Sequence, residues 1–152
     1  MQQYIKEENI FLNQDLTTRD EVFEFLAEQA VKAGIATDEK AVYQKFNERE
    51  QESTTGMMDG FAIPHAKDEL IKEAEVIIVY PHAGIEWNSM DGSLSKYIIA
   101  LFVPDTEAGT THLSLLSTLA RLLMKADVTD KLKNATSASE IADVLNSNIA
   151  QS

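Results

Sequence analysis

Three histidines, one arginine and a short Ser/Thr/Gly loop hold most of the chemistry open to this chain. His65 follows Ile63-Pro64 and precedes Ala66-Lys67, His82 follows Tyr80-Pro81, and His112 follows Thr110-Thr111. A neutral imidazole offers an unprotonated nitrogen near pH 7 and can act as a nucleophile. His65 comes just after the loop 51–60 (QESTTGMMDG). That setting suits a nucleophile as well as it suits a hydrogen-bonded structural histidine. His112 reads as first-turn of a helix, where free N–H groups and partial positive charge disfavour imidazolium and attract an anion. On its own, a histidine in that position is more often a capping or surface residue. His82 has no chemically supportive neighbour and reads as a loop residue. Arg49 lies just before the loop. Its default is a solvated or surface-paired side chain, yet a phosphate-handling histidine needs such a rigid fork of donors.

Other chemistries find no footing. There is no G-x-S-x-G turn, no G-x-x-x-x-G-K-[ST] loop and no G-x-G-x-x-G, which leaves serine hydrolysis and nucleotide cradling unsupported. The histidine spacing matches no standard zinc pattern, although three distant histidines can still assemble a metal site. With no cysteine, disulfides, thiolate metal sites and cysteine nucleophiles are all removed. Thirteen Lys and Arg against 25 Asp and Glu leave a net charge of -12. Such a chain lacks the basic patches that nucleic-acid backbones or anionic membrane surfaces require. The charge serves solubility, and in a functional reading it meets a protein partner with a basic docking face.

The elements that position these residues follow from length and periodicity. The 152 residues, 44% apolar and 25% charged, suit one globular domain spanning 1–152. The longest apolar runs, 76–80 and 97–103, fall well short of the ~20 residues of a membrane-spanning helix. The first ten residues hold no apolar export signal, so the reading is a cytoplasmic protein without direct membrane insertion. The first 15 residues pack as a short edge segment. Thr18 and Glu21 have capping-box spacing ahead of a helical stripe of Val22, Phe23, Leu26, Ala30 and Val31, with Gly34 as the stop. A second helix follows Thr37-Asp38, with Val42, Tyr43 and Phe46 on one face. Pro64 ends a short extended segment at His65. Strands are expected at 75–80 and 97–103, the latter without alternation and therefore covered on both faces. Segment 84–87 is a short strand or turn. A helix over 112–126 should be deeply buried, with Leu113, Leu116, Ala120 and Leu123 on one face and Leu115, Leu119 and Leu122 widening it. Shorter helices follow at 128–133 and 139–148, the last capped by Ser137 or Ser139. The fold class is α/β: a layered sandwich whose central mixed sheet of about five strands is covered by helices on both faces.

Three segments together resemble the signature of the fructose/mannitol-type enzyme IIA domains of the bacterial sugar phosphotransferase system. They are Phe46-Asn47-Glu48-Arg49-Glu50, the loop Ser53-Thr54-Thr55-Gly56, and Gly60-Phe61-Ala62-Ile63-Pro64-His65-Ala66-Lys67. The later Val103-Pro104 and the helix starting His112-Leu113-Ser114-Leu115-Leu116 extend the resemblance from about Ile5 to Leu145. It implies that His65 is the phosphoacceptor, charged by the histidine-containing phosphocarrier protein. Phosphate would then pass to an enzyme IIB domain of a sugar permease, usually onto a cysteine. The family's second histidine maps on His112 and its arginine on Arg49. Met57-Met58-Asp59 is less regular among relatives and receives no role.

A physical mechanism can be set beside that resemblance. Transfer between two nitrogens is an in-line displacement with a loose transition state, so alignment and charge stabilisation are the protein's task. Arg49 would stabilise charge, His112 would donate to a phosphoryl oxygen, and Thr54 and Thr55 would be hydroxyl donors. No cofactor or metal is called for, because the donor is already a phosphoramidate. Other readings are a regulatory, nitrogen-related relative, a metal-dependent hydrolase using His65, His82 and His112, and a non-catalytic interaction domain. With no cysteine here, a cysteine acceptor must lie on another polypeptide, and the chain is expected to be a diffusing intermediate. Its charge is expected to form an acidic rim around His65.

Overall fold

Local signals place each element along the chain. A 3-10 turn at Glu7–Asn9 leads into strand β1 (Ile10–Gln14). Helix α1 (Arg19–Lys32) opens on a full capping box: the Thr18 hydroxyl accepts from the Glu21 N–H, and the Glu21 carboxylate accepts from the Thr18 N–H. It closes at Gly34, whose φ of 76° lets Gly34 N–H reach the Val31 carbonyl and Ile35 N–H reach Ala30. Helix α2 (Glu39–Glu52) is capped by Asp38, which accepts from the Ala41 N–H. Strands β2 (Phe61–Ala62), β3 (His65–Asp68), β4 (Glu75–Pro81) and β5 (Tyr97–Pro104) follow. Helices α3 (Thr111–Leu122), α4 (Ala126–Asn134) and α5 (Ala138–Ala150) complete the chain, with the Ser137 hydroxyl accepting from Glu140 N–H at the start of α5. The structure, a computed structural model, describes residues 5–72, 74–105 and 111–150, and side-chain surroundings for these except 111–114 and 150.

The five strands form one mixed sheet centred on β4 and β5. β1 runs parallel to β4, β4 runs antiparallel to β5, and β2 and β3 lie one after the other along the far edge of β5, both parallel to it. Pro64 separates β2 from β3 because it has no N–H to give. Its carbonyl still accepts from Leu101 N–H at 2.9 Å, so the edge stays in register through the break. His65 therefore starts β3, directly opposite Leu101.

The two central strands are buried on both faces, and their alternation divides the interior in two. Ile77, Val79, Ile98, Ala100 and Phe102 face α1 and α2, where Val22, Phe23, Leu26, Val42 and Phe46 meet them. Val76, Ile78, Ile99, Leu101 and Val103 face α3, α4 and α5, where Leu115, Leu119, Leu132, Ile141 and Leu145 meet them. The expected α/β sandwich with helices on both faces is thus the fold. The 84–87 segment pairs only through an isolated bridge between Ile85 and Ser95.

The expectation for the helix after β5 needs correcting. It ends at Leu122 rather than 126, because the chain turns at Met124 before α4. It is also one-sided: Leu115, Leu119 and Leu122 are buried, Leu116 and Leu123 are partly buried, and Met124 beyond it is exposed. One sheet face can cover only one stripe of a helix, and the 115/119/122 stripe is the one it takes. The Leu113 side chain lies outside the described residues.

On the α1/α2 side, Phe23 stacks on Phe46 at 5.2 Å and meets the Trp87 ring edge-on at 5.5 Å. Phe23→Ala should cost about 3–5 kcal/mol of unfolding free energy, measured as a shift of the urea midpoint at unchanged slope.

Candidate functional site

His65 is brought to Arg49 by a sheet edge meeting a helix end. α2 packs over β3, and Arg49, in its last turn, points at the first residue of that strand. The Arg49 Nε–H donates to His65 Nε2 at 2.7 Å. The other ring nitrogen, Nδ1, lies 3.1 Å from the Ile63 carbonyl. Nε2 must be the acceptor in the first contact, so the proton sits on Nδ1 and donates to Ile63. His65 is thereby fixed as one neutral tautomer with its Nε2 lone pair directed at Arg49. Burial is the largest influence on this imidazole and pushes its pKa below the ordinary histidine value; the Ile63 carbonyl, Glu50 and Glu52 oppose that, while Arg49 adds to it.

Arg49 is itself held in place. Its Nη1 donates to the Ser53 carbonyl at 2.9 Å, just past the end of α2. The Ser53–Gly56 loop is in turn anchored by Glu50, a carboxylate only 7% exposed. Glu50 accepts from Thr55 N–H at 2.8 Å and from the Thr55 hydroxyl at 2.5 Å. The Thr55 hydroxyl accepts from Trp87 Nε1–H at 3.2 Å. Arg19 Nη1 lies 3.9 Å from Glu50 and donates to the Trp87 carbonyl at 3.2 Å. Ile63 N–H donates to the Thr55 carbonyl, which ties the same loop to the segment leading into His65. Gly56 makes the approach to Trp87 possible, since a Cβ there would sit 2.8 Å from the indole and 2.9 Å from Ser89.

This network gives both loop threonines partners within the protein. The Thr55 hydroxyl is buried, donating to Glu50 and accepting from Trp87. The Thr54 hydroxyl accepts from Gly56 N–H and donates to the Trp87 carbonyl. Both hydroxyls brace the loop through these contacts. The His112 side chain lies outside the described residues; its Cα belongs to the first turn of α3. His82 ends elsewhere: its Nδ1 faces Asn13 Oδ1 at 2.6 Å, beyond the end of β4. His65 sits opposite Leu101, which pairs with Val76. His82 is six residues further along β4, so at ~3.3 Å per residue about 20 Å of sheet separates the two histidines.

An open cavity of about 320 Å³ lies in front of His65, lined by Lys45, Glu48, Arg49, Glu52, His65 and Lys67. The acidic rim expected from the net charge is not what surrounds the ring. Three cations and two carboxylates line the cavity, so the lining itself carries one net positive charge although the chain as a whole is strongly acidic. Sequence reasoning missed Lys45, Glu50, Lys67 and Trp87. Two of these had a visible signal: Lys45 is one helical turn before Arg49, and Lys67 is two strand positions after His65. Glu50 and Trp87 meet through the Thr55 hydroxyl across three intervening strands, and that meeting had none.

Comparison with known proteins then adds a consistent set of likenesses. Residues 3–148 match the family model described as phosphoenolpyruvate-dependent sugar phosphotransferase system, EIIA 2. The PTS system fructose-specific EIIA component of Haloferax volcanii is 38% identical over 138 residues, covering 91% of this chain and 89% of that one. Among solved structures, the nitrogen regulatory protein IIA-Ntr of Neisseria meningitidis has the same fold, with a TM-score of 0.86 at 24% identity over 93% of this chain and 96% of that one. A complex of enzyme IIAMTL and phosphorylated enzyme IIBMTL from Escherichia coli does too, with a TM-score of 0.76 at 22% identity over 95% and 96%.

Two outcomes are expected from this geometry. In an NMR titration the His65 ring should titrate below 6.5, and Arg49→Gln should move the midpoint upward by removing a cation from the protonated form. Glu50→Gln should cost about 1–3 kcal/mol in urea unfolding, because its amide turns a donor toward the Thr55 donors.

Proposed function

Because the chain belongs to the EIIA 2 family of the phosphoenolpyruvate-dependent sugar phosphotransferase system, we propose that it carries a phosphoryl group on His65 Nε2. It receives that group from a histidine-containing phosphocarrier protein and passes it to an enzyme IIB domain, in service of sugar uptake. The observation that carries this reading is the paired contact of His65 at the cavity that it lines with Arg49: Nε2 accepts from Arg49, while Nδ1–H is tied to Ile63. Residues 1–152 act as one phosphotransfer domain. Among the described residues no helix is long and apolar enough to cross a membrane, and the reading puts the reaction in the cytoplasm.

The transfer needs little from the protein beyond presentation. The His65 Nε2 lone pair attacks phosphorus in line with the donor nitrogen. The Nε2–P bond forms, the donor N–P bond breaks, and its electron pair returns to the donor imidazole. The Nδ1 proton stays on His65, held by the Ile63 carbonyl. Arg49 must release Nε2 for the attack, and its guanidinium is then free to face the equatorial phosphoryl oxygens. His112, at the first turn of α3, is the candidate second donor, and the free N–H groups of that turn favour the same charge. Onward transfer is the same displacement in reverse, with a IIB side chain as nucleophile. The regulatory reading uses the same nucleophile and differs only in what the phosphorylated chain meets. The three-histidine hydrolase gains nothing from a His82 bonded to Asn13 at the other end of the sheet.

Incubation with phosphoenolpyruvate and the general phosphotransferase proteins should add one phosphate, labile in acid and stable in base. His65→Ala should abolish it, and His112→Ala should slow transfer while leaving some phosphorylation. Uptake of phosphate by the His65→Ala chain, followed by intact mass, would refute the assignment.

A further inference from the structure

The cavity in front of His65 contains two lysines that the phosphotransfer reading above leaves unused. Lys45 is one turn before Arg49 on α2, and Lys67 is two residues after His65 on β3. Helical and strand periodicity put each on the same face as its functional neighbour. Both line the cavity with His65 and Arg49. Their present partners hold them loosely. Lys45 Nζ is 3.7 Å from Glu48 and 3.9 Å from Asp68, and Lys67 Nζ is 3.7 Å from Asp105. All three separations exceed hydrogen-bond length. Elsewhere on the surface, Lys32 binds Glu28 and Lys6 binds Glu75 at 2.8 Å. The Lys45 and Lys67 side chains are also 40% and 47% exposed, where such loose pairs contribute next to nothing to stability.

We propose that Lys45 and Lys67 are phosphate-binding residues, which leave these carboxylates and close on the phosphoryl oxygens when His65 is phosphorylated. The inference rests on the reading of His65 as phosphoacceptor. Charge balance supports it. With a neutral imidazole, the lining groups Lys45, Arg49, Lys67, Glu48 and Glu52 sum to one positive charge. A phosphoryl group brings close to two negative charges, so the phosphorylated site needs its cations close in. A lysine is suited to that movement, since its ammonium is a point charge with three donors on a flexible stem. Arg49 supplies the rigid contact, and the two lysines approach from either side of it, one from the helix and one from the strand. Their effect falls on the phosphorylated state rather than on the empty one, and so on how far phosphate moves from the carrier onto this chain.

That equilibrium is the test. The full chain and its variants are mixed with phosphorylated phosphocarrier protein, and the ratio of phosphorylated to free chain is read by intact mass once exchange is complete. This ratio is blind to docking, which alters forward and reverse rates alike. Lys45→Met and Lys67→Met should each lower the exchange equilibrium constant by ~10-fold, the worth of one charge-assisted hydrogen bond. Lys45→Arg and Lys67→Arg should restore most of it. Lys32→Met, which removes the same charge from α1, should match wild type and controls for net charge. Methionine variants within twofold of wild type would overturn the inference while leaving the function standing. An equal loss in the arginine variants or in Lys32→Met would overturn it as well, pointing to shape or overall charge. Absence of phosphate from His65 in the wild-type chain would overturn the phosphoacceptor reading itself, and this inference with it.

Discussion

Strand β5 is paired along both edges and covered on both faces, and that double burial is what the other elements are arranged around. Its odd and even residues seed two separate interiors, so helices are required on each side. Its far edge must be satisfied by something short, because the chain there also has to deliver a side chain to solvent. The solution is an edge in two pieces, β2 and β3, with Pro64 between them and the Pro64 carbonyl still bonded to Leu101. His65 is the first residue after that interruption. Its backbone is held as firmly as a central strand permits, while its ring is left at the mouth of a cavity.

The same arrangement explains why His65, as the proposed nucleophile, is quiet at rest. The lone pair that would attack is occupied by a guanidinium hydrogen bond of 2.7 Å. Burial and the neighbouring cation keep the ring neutral, and the Ile63 carbonyl keeps its proton on the far nitrogen. The proposed transfer uses the neutral ring that these contacts favour. The arginine need only transfer its allegiance from nitrogen to an incoming oxygen. Glu50 contributes at one remove, since it pins the loop whose Ser53 carbonyl steadies that arginine, and the same loop braces Ile63.

Much of this was legible in the chain itself because it is locally encoded. The Thr18–Glu21 capping box, the Gly34 stop, the two apolar strands and the Ser137 cap each depend on residues within a few positions of one another. The link between Arg49 and His65 was legible through family resemblance, since a contact between a helix end and a strand start leaves no periodicity to read. Other features escaped for physical reasons. Which stripe of the α3 segment is buried depends on the sheet it meets, so Leu115, Leu119 and Leu122 could not be separated from their neighbours in advance. The buried contacts of Thr55 to Glu50 and Trp87 were not legible because Trp87 reaches it only after the chain folds. The charge of the cavity lining differs in sign from the chain's net charge because composition has no geometry.

The interrupted edge also bears on how crowded copies of this protein treat one another. An open sheet has two outer strands whose free backbone groups can recruit strands from other molecules and begin a polymer. Here β2 has two residues and β3 four, divided by a proline that offers no N–H. On the opposite border β1 loses regular register between Phe11 and Gln14, where Asn13 adopts a φ of 53°. Neither border presents a long, flat template. The proline that sets His65 at the start of its strand thus also guards the sheet against edge-to-edge aggregation.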